Sequence, residues 1–129
     1  MKWVEFVLLT VGAVIGASLR YKLVESPVAV YGLPVNVLVV NVLGSFILGL
    51  FSVLSIGLNL ETQYTLLVAV GFCGSFTTMS SFALETSNLF DNNRFTLLAL
   101  NILANVCLSL GAIFGGRVIG DAIMDRFIH

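Results

Sequence analysis

Long apolar stretches separated by short polar segments are the main feature of this sequence. Intervals without a charged residue cover residues 6–19, 26–60, 62–84 and 95–116. A helix that crosses a hydrocarbon core of about 30 Å needs about 20 apolar residues, and basic or aromatic residues at its ends can lie at the membrane surface. The pattern therefore predicts four transmembrane helices, at about residues 3–23, 34–56, 62–89 and 95–119.

The composition differs from that of soluble domains. Hydrophobic residues make up 58% of the 129 residues and charged residues 10%, whereas soluble domains contain about a quarter charged residues. We therefore predict an all-α membrane protein in which residues 1–129 form a single transmembrane domain. Cleavage of the first helix as a signal peptide is the alternative, but Glu5 lies where such a peptide is basic, and no clear small-residue cleavage site precedes Arg20.

The starts and ends of the predicted helices give two further expectations. A proline at the first helical position loses no hydrogen bond, so we expect Pro34 to begin the second helix. Residues 120–129 form an amphipathic tail, which we expect at the membrane surface.

The basic residues are divided equally between the two sides of the membrane. Four spans put both termini on one side. The basic residues of that side are Lys2, Arg117 and Arg126, and those of the opposite side are Arg20, Lys22 and Arg94. Because an imbalance of Lys and Arg sets the orientation, a balanced chain should insert both ways round and pair as an antiparallel, dual-topology homodimer in the lipid bilayer. A chance balance among few charges is the alternative. The net charge of −1, without a basic run, argues against a nucleic-acid partner.

The third predicted helix contains an unusual stretch of small and hydroxyl-bearing residues, from Gly71 to Phe82. Two glycines and five serines or threonines lie in it. Backbone inside a membrane can leave the helix where it is buried in protein or lines a wet cavity, so we predict a break at about residues 74–78, near mid-membrane. Carbonyl oxygens released on the two-fold axis of a dimer would suit a hard cation such as Na⁺. The alternative is a continuous helix whose small residues allow close packing.

Polar residues inside the predicted spans repeat at helical spacing. They are Asn41 and Ser45 on helix 2, Thr78, Ser81, Phe82 and Glu85 on helix 3, and Asn101, Asn105 and Ser109 on helix 4. Residues three or four apart share a helix face, so each helix directs a polar stripe toward protein. Amide and hydroxyl groups donate hydrogen bonds to an anion, and an aromatic ring presents a positive edge to one. The stripes therefore indicate either a pathway for a small anion or polar contacts that join helices.

Glu85 is the ionisable residue that lies deepest inside a predicted span, which makes it a candidate for function. The alternative is a carboxylate near the membrane surface that caps the helix or pairs with Arg94 or Arg20. Arg20 could equally anchor the first helix by extending its guanidinium to the surface.

Small residues inside the spans are expected to serve packing. Gly12 with Gly16, and Gly111 with Gly115, have the GxxxG spacing that is typical of closely packed membrane helices. The two cysteines, Cys73 and Cys107, both lie in apolar segments, where a free thiol behaves as a small hydrophobic group.

Three motifs, taken in order and with their spacing, connect the chain to a known family. They are GAVIGASLRY at residues 12–21, VNVLGSF at 40–46 and GFCGSFTTMSSF at 71–82. Together with the four short spans, they resemble the CrcB/Fluc fluoride channels over nearly the whole chain. The resemblance implies a dual-topology homodimer with two fluoride pores and a central structural Na⁺ held by backbone carbonyls. By position, those carbonyls would belong to Gly74 and Thr77.

The resemblance also implies a set of pore residues, with some departures. The implied lining consists of Asn41, the hydroxyls of Ser80 and Ser81 and the ring of Phe82, with Glu85 nearby. The family's usual TTFSTF is TTMSSF here, so Met79 takes the position of one pore phenylalanine and offers no aromatic edge. Asn101 stands where a tyrosine is frequent, and Asn36 and Val37 replace a common Gly-Thr pair.

The resemblance implies passive export of fluoride from the cytoplasm across the inner membrane of a prokaryotic cell. The membrane potential would drive this export at about 2.3 kcal/mol per 100 mV. A proton-coupled antiporter is one alternative, but it needs a carboxylate at mid-membrane, and Glu5 lies at the edge of the first helix. A membrane subunit without transport is another. An enzyme is not expected, because the sequence has no Ser–His, Cys–His or metal-ligand constellation and its one histidine is His129.

Overall fold

Four long helical segments make up the computed structural model, which describes residues 1–128. The uninterrupted ones are α1 (Trp3–Val24), α2 (Asn36–Gly57) and α6 (Phe95–Ile128). The third segment, Thr62–Asp91, consists of several helical pieces. All four segments are long and apolar enough to cross a membrane, which confirms the prediction of an all-helical chain with four such segments.

The third segment changes its helical geometry along its length. It begins with α3 (Thr62–Thr65), continues as a π-helix (Leu66–Cys73), and then comprises α4 (Gly74–Phe76) and α5 (Met79–Asp91). A π-helix has wider turns than an α-helix and is frequently found at functional sites. Thr77 and Thr78, between α4 and α5, are in extended conformation.

The connection between α1 and α2 is a short hairpin rather than an open loop. β1 (Ala29–Val30) pairs with β2 (Leu33–Pro34), and the turn residues Tyr31 and Gly32 have φ angles of 52° and 85°. The expectation that Pro34 begins the second helix is therefore wrong: its ring also fits an extended strand, and α2 begins at Asn36.

Asn36 fastens this connection to the helix before it. Its Oδ1 accepts a hydrogen bond from the Val28 N–H at 2.6 Å, and its Nδ2 donates to the Leu23 and Ser26 carbonyls at 2.7 and 3.0 Å. Val37, the next residue, is 1% exposed and belongs to the core. Asn36 and Val37 thus stabilise the start of α2.

The fourth helix extends beyond its predicted end. Residues 120–128 continue α6, whereas the sequence placed the end of the helix at about residue 119 and a tail at the membrane surface after it. The continuation packs on α2, because Gly120 lies against Val53 and Leu50 and Met124 lies against Gly57. Both Gly120 and Met124 are buried, so this part of the chain belongs to the bundle.

Glycines set the distance between the helices that pack together. A Cβ on Gly12 or Gly16 would collide with the carbonyl oxygen of Leu67 or Phe72, respectively, so α1 lies directly against the π-helix. The expected close packing at these two glycines is confirmed. In α6, Gly116 approaches the backbone of α2 in the same way. The expectation for Gly111 and Gly115 is wrong within one chain. A Cβ on either residue would meet no atom within 4 Å.

Candidate functional site

The site is built around the two extended residues of the third segment. Thr77 has φ and ψ of −80° and 158°, and Thr78 has −150° and 121°. The Thr78 hydroxyl caps α5, because its Oγ1 accepts a hydrogen bond from the Ser81 N–H at 3.2 Å. The same hydroxyl lies 3.3 Å from the Ser80 Oγ.

Several carbonyl groups, among them those of Gly74 and Thr77, lose their usual partners at this interruption. In an α-helix, each carbonyl accepts from the N–H four residues later. The N–H groups that would serve Gly74 and Thr77 donate elsewhere: that of Thr78 to Asn41 Oδ1 at 2.8 Å, and that of Ser81 to the Thr78 hydroxyl. Gly74 is also exposed, and a Cβ added to it would meet one atom at 3.8 Å. The interruption therefore leaves the Gly74 and Thr77 carbonyls available to a ligand.

Asn41 on α2 satisfies both backbone polar groups of Thr78. Its Oδ1 accepts from the Thr78 N–H, and its Nδ2 donates to the Thr78 carbonyl at 3.2 Å. Backbone groups without partners cost several kcal/mol each in a lipid environment, and this pair of hydrogen bonds offsets that cost for the extended conformation of Thr78. The Asn41 Nδ2 also donates to Asn105 Oδ1 at 3.1 Å.

The polar stripe of α6 continues this network away from the interruption. The Asn105 Nδ2 donates to the carbonyl and the Oδ1 of Asn101, at 2.9 and 3.1 Å, and the Asn101 Nδ2 donates to Thr86 Oγ1 at 3.2 Å. Asn101 and Asn105 are 0% and 5% exposed. Amide groups that the sequence offered as ligands for an anion are thus engaged within the chain and join α2, α5 and α6.

A cavity of about 460 Å³ lies beside the interruption. Of the predicted site residues, its lining includes Asn41, Gly74, Thr77, Met79, Phe82 and Asn105. Thr78, Ser45 and Ser109 also line it, and the Ser109 Oγ is buried without a hydrogen-bond partner among the described residues. The side chain of Met79 is 73% exposed, so the cavity opens on a free face of the chain.

Other predicted site residues lie apart from this cavity. Arg20 and Ser81 line a second cavity of about 360 Å³ near the end of α1. Ser80 is exposed next to the Thr78 hydroxyl. The alternative in which Glu85 pairs with Arg20 or Arg94 is not found in residues 1–128, where the ion pair joins Lys22 to Glu25 at 3.5 Å. The Oε2 of Glu85 and the Nε of Arg20 are both buried without a hydrogen-bond partner within this range.

Comparison with known proteins places this arrangement in a family. A family model described as CrcB-like protein, Camphor Resistance (CrcB), matches residues 7–117. The chain belongs to the CrcB family. Membership of this family, together with four helices long and apolar enough to cross a membrane, makes it a multi-pass membrane protein.

Several proteins with similar sequences are named for a transport function. A fluoride-specific ion channel FluC of Nitrosopumilus maritimus is 56% identical over 126 residues, which cover 98% of this chain and all of that protein. Two further proteins of the same name are each 41% identical to this chain. The alignment with the protein of Methanococcus maripaludis covers 88% of this chain and 93% of that protein, and the alignment with the protein of Sulfurihydrogenibium sp. covers 89% and 95%.

Sequence reasoning identified the helices of this site but missed three contributions to it. Thr78 belongs to a predicted stripe, and its role as a helix cap is compatible with a threonine three residues before Ser81. Ser45 and Ser109 lie on the predicted polar stripes, but the sequence alone does not distinguish them as site residues. The bonds between Asn41 and Thr78 join residues 37 apart, and no local pattern indicates them.

Proposed function

We propose that this chain forms a fluoride-selective ion channel through which fluoride leaves the cytoplasm passively, so that fluoride toxicity is reduced. The observation that carries the proposal is the cavity at the interruption, which combines hydroxyl groups with the Phe82 ring and has no Lys or Arg among its described lining residues. The full-length similarity to proteins named fluoride-specific ion channels supports it. The proposed site of action is the inner membrane of a prokaryotic cell.

Neutral donors are suited to conduction of a strongly hydrated anion. They can replace part of its hydration shell yet release it, whereas a buried cationic group would hold it. The Ser109 hydroxyl has no partner in the described chain, and Ser45 lines the same cavity. Phe82 adds a positive ring edge, and Met79 fills volume at the open side. Asn41 lines the same path.

The residues outside this cavity fit the two ends of a path. Arg20 and Ser81, in the second cavity, would attract the anion at an entrance, and the exposed Ser80 would form part of the same approach. Glu85 lies one helical turn beyond Phe82, with a carboxylate oxygen that has no described partner. Asn101 and Asn105 hold α6 in position.

The working unit of this proposal is an antiparallel homodimer. The equal division of basic residues between the two sides favours insertion in both orientations. The cavity opens on a face where Met79 and Gly74 are exposed, and a second copy would close it. An antiparallel pair would also bring the two interruptions together at a two-fold axis near mid-membrane.

A structural Na⁺ at the centre of this dimer is part of the proposal. The Gly74 and Thr77 carbonyls have lost their usual helical donors, and two from each chain would provide oxygen ligands for a hard cation. The ion would hold the two interruptions together and would not be transported.

Fluoride efflux from liposomes that contain the purified protein tests the proposal. We expect rapid release of fluoride at a fluoride electrode, no matching release of chloride, and loss of release when Na⁺ is replaced by N-methylglucamine. Efflux that requires a proton gradient would favour an antiporter instead. A folded protein without efflux would contradict the channel.

A further inference from the structure

One peptide group at the interruption connects the Asn41 side chain to a proposed Na⁺ ligand. The Thr77 carbonyl and the Thr78 N–H belong to the same peptide unit, which is planar. In a trans unit these two groups point in opposite directions. A side chain that holds the N–H therefore also fixes the direction of the carbonyl, and Asn41 Oδ1 holds this N–H at 2.8 Å.

The surroundings keep Asn41 in a defined position. Its Nδ2 donates to the Thr78 carbonyl at 3.2 Å, so the peptide unit after Thr78 is fixed as well as the unit before it. Its second acceptor, Asn105 Oδ1, lies at 3.1 Å and is itself part of a buried network. Gly44 lies beside the Thr77 side chain, where a Cβ would collide with Thr77 Cγ2, so the interruption packs tightly against this turn of α2.

The donors of Asn41 are already used within its own chain. A neutral amide nitrogen carries two N–H groups, and two acceptors, the Thr78 carbonyl and Asn105 Oδ1, lie within hydrogen-bonding distance. A fluoride ion that took one of these N–H groups would leave a buried backbone carbonyl or a buried amide oxygen without its donor.

We propose that Asn41 is a positioning residue for the Na⁺ site, which directs the Thr77 carbonyl toward the ion, and that it does not bind fluoride through its amide. This inference rests on the proposed Na⁺ site at the dimer centre. It assigns to α2 the role of setting the geometry of an ion ligand that lies on another helical segment.

The test measures Na⁺ binding separately from fluoride flux. The thermal unfolding midpoint of the purified dimer is followed as NaCl replaces N-methylglucamine chloride, and fluoride efflux is measured over the same range of Na⁺ concentration. The variants are Asn41→Leu, which removes both hydrogen bonds to Thr78, and Asn41→Asp, which as a neutral acid keeps an oxygen for the Thr78 N–H and an O–H for the Thr78 carbonyl. Ser45→Ala is the matched control, because Ser45 lies one turn along α2 and lines the same cavity.

We expect Asn41→Leu to raise the Na⁺ concentration at half saturation by about tenfold or more in both measurements. Asn41→Asp and Ser45→Ala should stay within about threefold of the unmodified protein. If Asn41→Leu keeps its Na⁺ affinity and loses fluoride flux at saturating Na⁺, Asn41 contacts fluoride and the proposal is wrong. If the unmodified protein shows no response to Na⁺ in either measurement, the Na⁺ site itself fails.

The aspartate variant decides the matter if Asn41→Leu does not assemble. Between the Thr78 carbonyl and Asn105 Oδ1, which are both acceptors, its side chain is a neutral acid, which retains the oxygen that faces the Thr78 N–H and directs its one O–H toward the Thr78 carbonyl. Retained Na⁺ affinity in Asn41→Asp supports the positioning role, and loss of that affinity overturns it.

Discussion

Asparagine amides replace backbone hydrogen bonds at two positions of this chain. An amide is neutral and carries both a donor and an acceptor, so one side chain can satisfy the N–H and the carbonyl of a non-helical backbone without bringing a charge into the membrane. Asn41 does this for Thr78, and Asn36 holds three backbone groups at the connection between α1 and α2. Individual asparagine side chains therefore hold the irregular backbone of the bundle, together with the short β1–β2 pair at the connection between α1 and α2.

The contributions of Phe82 and Met79, which both line the cavity, to fluoride efflux can be distinguished by one pair of substitutions. Phe82→Leu removes the aromatic edge beside the proposed path, and we expect fluoride efflux to fall by about tenfold, equivalent to about 1.4 kcal/mol. Met79→Leu keeps the volume and loses only a thioether, so efflux should stay within about threefold. Equal losses in the two variants would mean that the ring edge does not interact with the ion. Gel filtration of both purified variants checks that they still assemble.

At the scale of elements, the position of the interruption depends on how α1 packs against the π-helix. The Leu67 and Phe72 carbonyls lie directly against Gly12 and Gly16 of α1. Any side chain on those glycines would push the π-helix away, and the π-helix leads into α4 and the Thr77–Thr78 backbone. The glycines of α1 thus contribute to the placement of groups on a different segment.

Gly16→Ala tests this packing. We expect the free energy of unfolding in detergent to fall by about 1–3 kcal/mol, because the new Cβ meets backbone atoms that cannot rotate away. The control is Ser18→Ala on the same helix, where the side chain is exposed and the expected change is within about 0.5 kcal/mol. An unchanged stability of Gly16→Ala would show that α1 can move away from the π-helix without loss.

The elements differ in how far the sequence could predict them. The number of helical spans follows from the uncharged intervals, because the bilayer sets a minimum length for each span. The end of α6 was predicted too early, since Met124 gains its contact with Gly57 only in the folded bundle. Local patterns likewise placed Asn41, Asn101 and Asn105 on shared faces but did not show that their amides bond to the chain itself. Contacts between residues that are far apart along the chain could not be predicted from the sequence.

At the scale of the whole molecule, a single chain leaves its polar cavity open on a face that is otherwise apolar. Met79 and Gly74 are exposed there, together with Val106 and Leu110, which also line the cavity. Hydroxyl and amide groups that faced lipid would lack partners, and each would cost free energy. A second copy of the same chain, inverted in the membrane, covers this face in the proposed assembly.

Changing the charge balance tests whether inversion is required. Ser26→Lys with Val28→Lys adds two basic residues to the side opposite the termini, and Lys22→Gln with Arg94→Gln removes two from it. Each variant should then insert in a single orientation, opposite to that of the other. Fluoride efflux from cells should be lost when either variant is produced alone and restored when both are produced together. A reporter fused after residue 129 verifies the orientation of each variant. Full efflux by one variant in a single orientation would exclude the antiparallel dimer as the conducting unit. Loss of efflux in the co-expressed pair could also arise from misfolding of one variant. Production of each variant together with the unmodified chain is the control for that misfolding.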